Sequence, residues 1–143
     1  HIGSGSLQDS LEKTALKNGV KLKVLKPIKN SDLVKKYSLY SFYISSSKFE
    51  GNSKTILEAM AAGCVVIASN IPNNQEIIDN RVNGFLLELD DFNFINIINM
   101  LEDNIEELDK IGLKAREKIN EQFSQKILIE QEISILKKLN LFY

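Results

Sequence analysis

Two carboxylates, Glu50 and Glu58, stand eight residues apart around the stretch Gly51-Asn52-Ser53-Lys54-Thr55-Ile56-Leu57, and Ala59-Met60-Ala61-Ala62-Gly63 follows at once. Glycine frees the backbone at the turn, and Asn52 and Ser53 are good helix N-caps. Leu57, Ala59, Met60 and Ala62 favour a helix, which Gly63 ends. Glu50 is therefore expected just before a helix and Glu58 on its second turn, at most ~12 Å apart at helical rise. That is too far for a pair sharing one proton, and it suits two stations along an elongated ligand. Carboxylates accept hydrogen bonds from ribose or sugar hydroxyls. The backbone N–H groups near Asn52 to Thr55, with the helix dipole behind them, attract phosphate. Hydroxyl, phosphate, hydroxyl is the order of groups along a nucleotide-diphosphate sugar. Each glutamate also has a structural explanation, since one before a helix complements its dipole and one inside a helix is often solvated. The surrounding sequence has to decide.

The elements that would hold this segment alternate in type. His1-Ile2 reads as the last step of a strand, and Gly3-Ser4-Gly5 as either a tight turn or a phosphate cradle. The turn lacks a third glycine at dinucleotide spacing. Leu7, Leu11, Ala15 and Leu16 recur at helical spacing up to Gly19, and Val20 to Leu25 alternates like a half-buried strand. Ser31-Asp32 would cap a short helix carrying Leu33, Val34 and Tyr37, and Ser41 to Ser45 reads as a buried strand. The continuous apolar run Val65-Val66-Ile67-Ala68 is that of a central parallel strand.

A polar loop, Asn70 to Asn74 with Pro72, then precedes a short helix at Gln75-Glu76-Ile77-Ile78. Asn83-Gly84 makes a turn before a last strand, Phe85-Leu86-Leu87. Beyond it the pattern is helical over about 91–101, 105–120 and 124–140, with Ile129, Ile133 and Leu136 as a docking stripe. Such alternation predicts an α/β class: a Rossmann-like parallel sheet flanked by helices, in a single domain over 1–143 with a helical tail over 91–143. Ligands of such sheets bind at the carboxyl ends of the strands, where Glu50, Asn70 and Gly3 are expected.

Composition narrows the partners. The formal net charge is −1, so no electrostatic case exists for nucleic acid. Lys13, Lys17, Lys21, Lys23, Lys26, Lys29, Lys35 and Lys36 crowd the first quarter. They read as a solvated face or as a pull toward anionic lipid or phosphate. The single Cys64 excludes an internal disulfide and reads as a buried small apolar residue in a reducing compartment. No run approaches the ~18 apolar residues of a membrane span. There is no Asp-x-Asp, and Asp90-Asp91 is expected at a helix start, so no metal site is expected.

With these residues in hand, the chain resembles the C-terminal, donor-binding half of a GT-B fold glycosyltransferase of the retaining family 4. Residues 50–58 with the following Ala-Met-Ala-x-Gly are similar to that family's Glu-x7-Glu signature. The likeness continues over Gly3 to Leu7, Ile28 to Tyr37, Val66 to Ser69 through Ile78, and Asn83-Gly84-Phe85-Leu86. Asn52-Ser53 replaces the family's frequent Phe-Gly, a variant resembling enzymes of bacterial capsule and O-antigen synthesis. Lys26 stands where glycine is common.

The resemblance implies roles. Glu58 would bind the ribose hydroxyls, and Glu50 would hold the transferred sugar at the catalytic centre without acting as a nucleophile. Gly51, Asn52, Ser53, Lys54 and Thr55 would meet sugar and diphosphate. Lys26, Pro27 and Ile28 would border the base, and Gly3 and Gly5 would turn beside the phosphates. It implies a UDP- or GDP-linked donor, no metal or other cofactor, and a glycan or lipid-linked acceptor held by an N-terminal domain that is expected to precede these residues. The expected location is cytoplasmic, with peripheral association at the inner face of the plasma membrane. The 143 residues alone would bind nucleotide without turnover. Two alternatives stay open: a non-catalytic donor-binding subunit of a split transferase, and a GT-B sugar-phosphate epimerase or phosphorylase relative.

Overall fold

The computed structural model describes residues 1–51, 53–91 and 93–138. The chain forms two compact units, His1–Lys35 and Lys36–Tyr143. In the first, α1 (Gln8–Lys17) ends in a left-handed glycine, Gly19 at φ 67°. Val20 N–H bonds the Ala15 carbonyl and Gly19 N–H that of Leu16, the paired closure that glycine permits after a helix. The stripe predicted on α1 is present but not buried, with Leu7 and Leu16 largely exposed. The strand predicted over Val20 to Leu25 is reduced to one parallel bridge, Ile2 to Leu25. There Gly3 N–H bonds the Leu25 carbonyl and Leu25 N–H that of His1, each at 2.9 Å. Leu22 and Val24 are nevertheless half-buried between exposed Lys21 and Lys23, so the alternation is real. The next helix, α2 (Asn30–Tyr37), places Asp32 in its first turn.

The second unit holds the sheet. β1 (Phe42–Ser45), β2 (Val65–Ser69) and β3 (Phe85–Leu87) run parallel in the order β1-β2-β3. Phe42 stands opposite Val65, and Ile67 opposite Phe85. Every residue of β2 is buried, as a strand flanked on both edges and covered on both faces must be. Alternation sends Val65 and Ile67 into a core with Phe85, Leu101 and Ile111, against which Phe42, Leu87 and Leu108 pack. On the other side of β1, Tyr43 meets α3 (Lys54–Ala61), the crossover to β2.

α3 stops where expected. Gly63 is left-handed at φ 87°, and the N–H groups of Gly63 and Cys64 close on Met60 and Ala59. Arg116 also donates to the Ala62 carbonyl at 2.9 Å, tying this end to α6 (Ile105–Lys118). Gly112 of α6 lies so close that a side chain there would overlap the Gly63 carbonyl oxygen.

Several predicted boundaries move. α4 (Pro72–Ile77) begins at Pro72 rather than Gln75, because proline is pre-set for the first helical position. Asp90 and Asp91 lie in a 3-10 turn (Leu89–Asp91), and α5 (Phe94–Glu102) starts only after it. The long predicted helix over 105–120 ends at Lys118 and passes through a π-helical turn, Ile119–Phe123, into α7 (Gln125–Lys138). The predicted end of that helix at Asn140 lies outside the described residues. The docking stripe on α7 is not buried: Ile129 is 50% and Ile133 40% exposed. Ile127, Leu128, Ile129, Ile133, Ile135 and Leu136 spread around the helix, and an apolar face is buried only where another element meets it.

The Gly63–Gly112 approach makes a direct prediction. Gly112→Ala should destabilise the chain by roughly 1–3 kcal/mol, the usual cost of overpacking. Thermal denaturation followed by circular dichroism should show a Tm several degrees lower. Gly51→Ala, with nothing within 4 Å of the added carbon, should leave Tm nearly unchanged.

Candidate active site

The segment between the two glutamates is held at the carboxyl edge of the sheet by side chains that reach it from β2 and α4. Ser69, the last residue of β2, donates its hydroxyl to the Ser47 carbonyl at 2.6 Å, with the Ser45 carbonyl at 3.3 Å. Asn74 of α4 donates to the Ser69 carbonyl at 2.9 Å and accepts the Ser53 hydroxyl at 2.9 Å. Asn73 donates to the Gly51 carbonyl at 3.2 Å. Ser53, Ser69 and Asn74 are all buried. Polar groups so placed must be paired, and here each is, so the loop has one low-energy seat.

This network changes the role expected of Ser53. It does stand at the N-cap position of α3, but its side chain makes no capping bond. Its hydroxyl faces inward to Asn74, because a buried amide oxygen needs a donor more than an exposed helix end does. The first turn of α3 thus keeps backbone N–H groups uncapped by that side chain, at a place where the dipole favours an anion. Asn52, the other expected cap, lies outside the described residues.

The glutamates flank this turn. Glu50 is half-buried in the loop before α3. Glu58 is on the second turn, its side chain 15% exposed and its Oε1 3.6 Å from Lys54 Nζ. Lys54 is itself 68% exposed, a solvated helix-start lysine leaning on Glu58. Tyr43 reports on both carboxylates. Burial is the main force raising its phenol above the ordinary value; the hydrogen bond to Thr55 pulls it down, and the charges of Glu50 and Glu58 push it up again. Tyr37, stacked edge-on against Tyr43 with centroids 5.7 Å apart, is pushed well above the phenol range by burial, Tyr43 and Glu58. Cys64 is buried as expected, its thiol donating to the Tyr37 carbonyl at 3.2 Å and its pKa raised by burial.

Glu50, Gly51, Ser53, Lys54, Thr55 and Glu58 are brought together in the second unit. Gly3, Gly5, Lys26, Pro27 and Ile28 lie in the first. There Gly3 is left-handed at φ 135°, Lys26 and Pro27 are exposed, and Ile28 is half-buried. At the ends of β2 and β3, Asn70 donates to Glu88 and accepts from Gln75 at 2.8 Å. Sequence reading did not single out Asn74, Ser69 or Tyr43. The available signal was polarity out of place: a serine closing an apolar strand, and an asparagine just inside a proline-started helix. Among the described residues no group of three or more His, Cys, Asp or Glu could hold a metal ion, and no helix is long and apolar enough to cross a membrane.

The glycosyl transferases group 1 family matches residues 2–118, through both units. The chain belongs to that family. Its parallel sheet with flanking helices is the Rossmann-like domain of GT-B type glycosyl transferases, followed by C-terminal helices. The amylovoran biosynthesis glycosyltransferase AmsK of Erwinia amylovora is 30% identical over 151 residues, covering 96% of this chain and 36% of AmsK. Anabaena HepE, solved with UDP and glucose, shares the fold at a TM-score of 0.83 and 22% identity, covering 96% of this chain and 39% of HepE. A variant of S. aureus TarM, solved with UDP, Fondaparinux and alpha-GlcNAc-glycerol, matches at 0.80 and 26%, covering 93% of this chain and 27% of TarM. This group 1 chain thus spans well under half the length of each.

Two outcomes follow from the geometry. Asn74→Ala leaves the Ser69 carbonyl and the Ser53 hydroxyl without their buried partner. It should cost about 1–3 kcal/mol and shift the amide resonances of Gly51 and Ser53 to Thr55. In alkali, Tyr37 and Tyr43 ionise later in the folded chain than in the unfolded one. Their stabilisation is present below the unfolded phenol pKa of about 10 and is lost as pH rises past it. The urea midpoint should fall between about pH 9 and about pH 11, and Tyr37→Phe should make that fall shallower.

Proposed function

We propose that this chain is the donor-binding domain of a retaining glycosyltransferase of the family 4 type. The complete enzyme would move a hexosyl group from a UDP- or GDP-linked donor to a glycan or lipid-linked acceptor in surface-polysaccharide synthesis. One observation carries the reading: a helix start left uncapped by its N-cap side chain lies between two carboxylates, half-buried Glu50 just before α3 and Glu58 on its second turn. Family membership, the UDP bound in HepE and TarM, and the polysaccharide role in the name of AmsK support it.

Glu58 then receives the ribose hydroxyls and Glu50 those of the transferred sugar, each as an acceptor. The first-turn amides of α3, with Gly51 and Asn52, receive the diphosphate, whose growing charge on bond cleavage a preorganised dipole stabilises. In a retaining transfer of this class the acceptor hydroxyl arrives on the face the diphosphate leaves, so Glu50 holds the sugar and forms no covalent bond. In the His1–Lys35 unit, Lys26, Pro27 and Ile28 are assigned to the base and Gly3 and Gly5 to phosphate. No metal is assigned. The acceptor site belongs to another part of the enzyme, which would be cytoplasmic and peripheral to the membrane, so these 143 residues alone bind donor without turnover.

Titration with UDP-, GDP- and ADP-sugars, followed by NMR, tests the reading. Amides from Gly51 to Glu58 should shift with at least one donor, and no sugar should be released or transferred. Glu58→Gln should weaken binding by about tenfold, as loss of a charge-assisted hydrogen bond does. Unmoved amides with every donor would sink the assignment.

A further inference from the structure

Charge is unevenly divided along the chain. The first unit, His1–Lys35, holds seven lysines and three acidic residues, whereas the rest of the chain holds eleven basic and sixteen acidic residues. All seven lysines are exposed. Among the described residues, none of Lys13, Lys17, Lys21, Lys23, Lys26 and Lys29 is in an ion pair. A nearly neutral chain thus carries one basic pole whose charges are not spent on each other, the pattern of a surface that meets an extended anion.

Helix α1 shows how part of this charge is displayed. Gln8 and Ala15 stand seven residues apart on one face and are half-buried, so that face meets the rest of the unit. The outward face carries Ser6, Ser10, Lys13 and Lys17, which with Asp9 and Thr14 line a shallow hollow. Lys21 follows directly on the turn that closes the helix. On either side of the lysines the unit leaves leucines open, Leu7 at 76% and Leu16 at 82% exposure. Ammonium and hydroxyl groups suit phosphate, and leucines gain from leaving water. A surface of anionic headgroups above an acyl boundary offers both. Nucleic acid offers phosphate, but its single strands are held by stacking on aromatic rings and arginine, and residues 1–35 contain neither.

We propose that the outward face of α1 is the surface by which this protein rests on anionic phospholipid. Lys13, Lys17 and Lys21 meet the headgroup phosphates, and Leu7 and Leu16 enter the acyl boundary beside them. This rests on the membrane association proposed above, to which it gives a surface and a lipid class, and it makes no use of the donor site.

Cosedimentation of the 143-residue chain with lipid vesicles tests this. The chain should bind vesicles of equal parts phosphatidylglycerol and phosphatidylcholine, and not vesicles of phosphatidylcholine alone. Salt at about 1 M, where the Debye length is about 3 Å, should release most of it. Lys13→Gln, Lys17→Gln and Lys21→Gln together should weaken binding about a hundredfold, at roughly fivefold per lysine. Leu7→Ser with Leu16→Ser should weaken it about tenfold. Lys126→Gln, Lys137→Gln and Lys138→Gln remove the same charge from α7 and should leave binding unchanged. An equal loss in the α7 variant would mean that the membrane is met through another face, and it overturns the proposal. So does single-stranded DNA bound as tightly as the anionic vesicles. Donor binding is read separately, by calorimetry with UDP. A chain that binds anionic vesicles but no UDP keeps this surface and loses the donor site, and one that binds UDP but no vesicles does the reverse. Circular dichroism establishes that each variant is folded.

Discussion

Asn74 is the side chain on which the candidate site depends. It is fully buried, and it joins three segments that are separate in sequence: the end of β2 through the Ser69 carbonyl, the start of α3 through the Ser53 hydroxyl, and α4, on which it sits. A buried primary amide left without partners costs more than most surface bonds contribute. The chain therefore settles where the amide is satisfied, and there the loop carrying Glu50 is drawn against the carboxyl edge of the sheet. Ser69 completes the constraint by holding the Ser45–Ser47 backbone.

The same arrangement explains why the Ser53 side chain leaves the helix start uncapped. Ser53 has the residue type and position of a cap but directs its hydroxyl to Asn74. Fold and site are thus coupled through one hydroxyl: satisfying the core leaves the α3 amides unsatisfied by that side chain. The carboxylates on either side repel a bare phosphate and welcome hydroxyls. On the proposed reading, a donor with phosphate in the middle and hydroxyls toward both ends would meet each group where it is favoured.

At the other end of α3 the requirement is steric. Gly63 is left-handed and Gly112 lies against its carbonyl, so α3 and α6 approach more closely than side chains would allow. Arg116 donates to the last carbonyl of the turn. Close packing at this end and polar bonding at the other leave α3 little freedom to slide. Glu58, on the second turn, inherits that rigidity.

Local chemistry was readable from the sequence. The strands at Phe42–Ser45, Val65–Ser69 and Phe85–Leu87 are short apolar runs bounded by turns, and the stop at Gly63 needs only a residue that tolerates positive φ. The Glu50–Glu58 spacing on a turn and a helix is likewise a matter of counting. Failures came where a partner was needed. The Val20–Leu25 alternation became one bridge, and the α7 stripe stayed exposed, because alternation and periodicity describe a face and not what covers it. The direction of each polar group was also hidden. Ser53 meets Asn74 across 21 residues, Ser69 meets Ser47 across 22, and Tyr43 meets Thr55 across 12. Sequence determined which groups could bond and which segments would be helix or strand. Only the tertiary structure decided which partner each hydroxyl met, because that choice depends on neighbours that folding alone brings together.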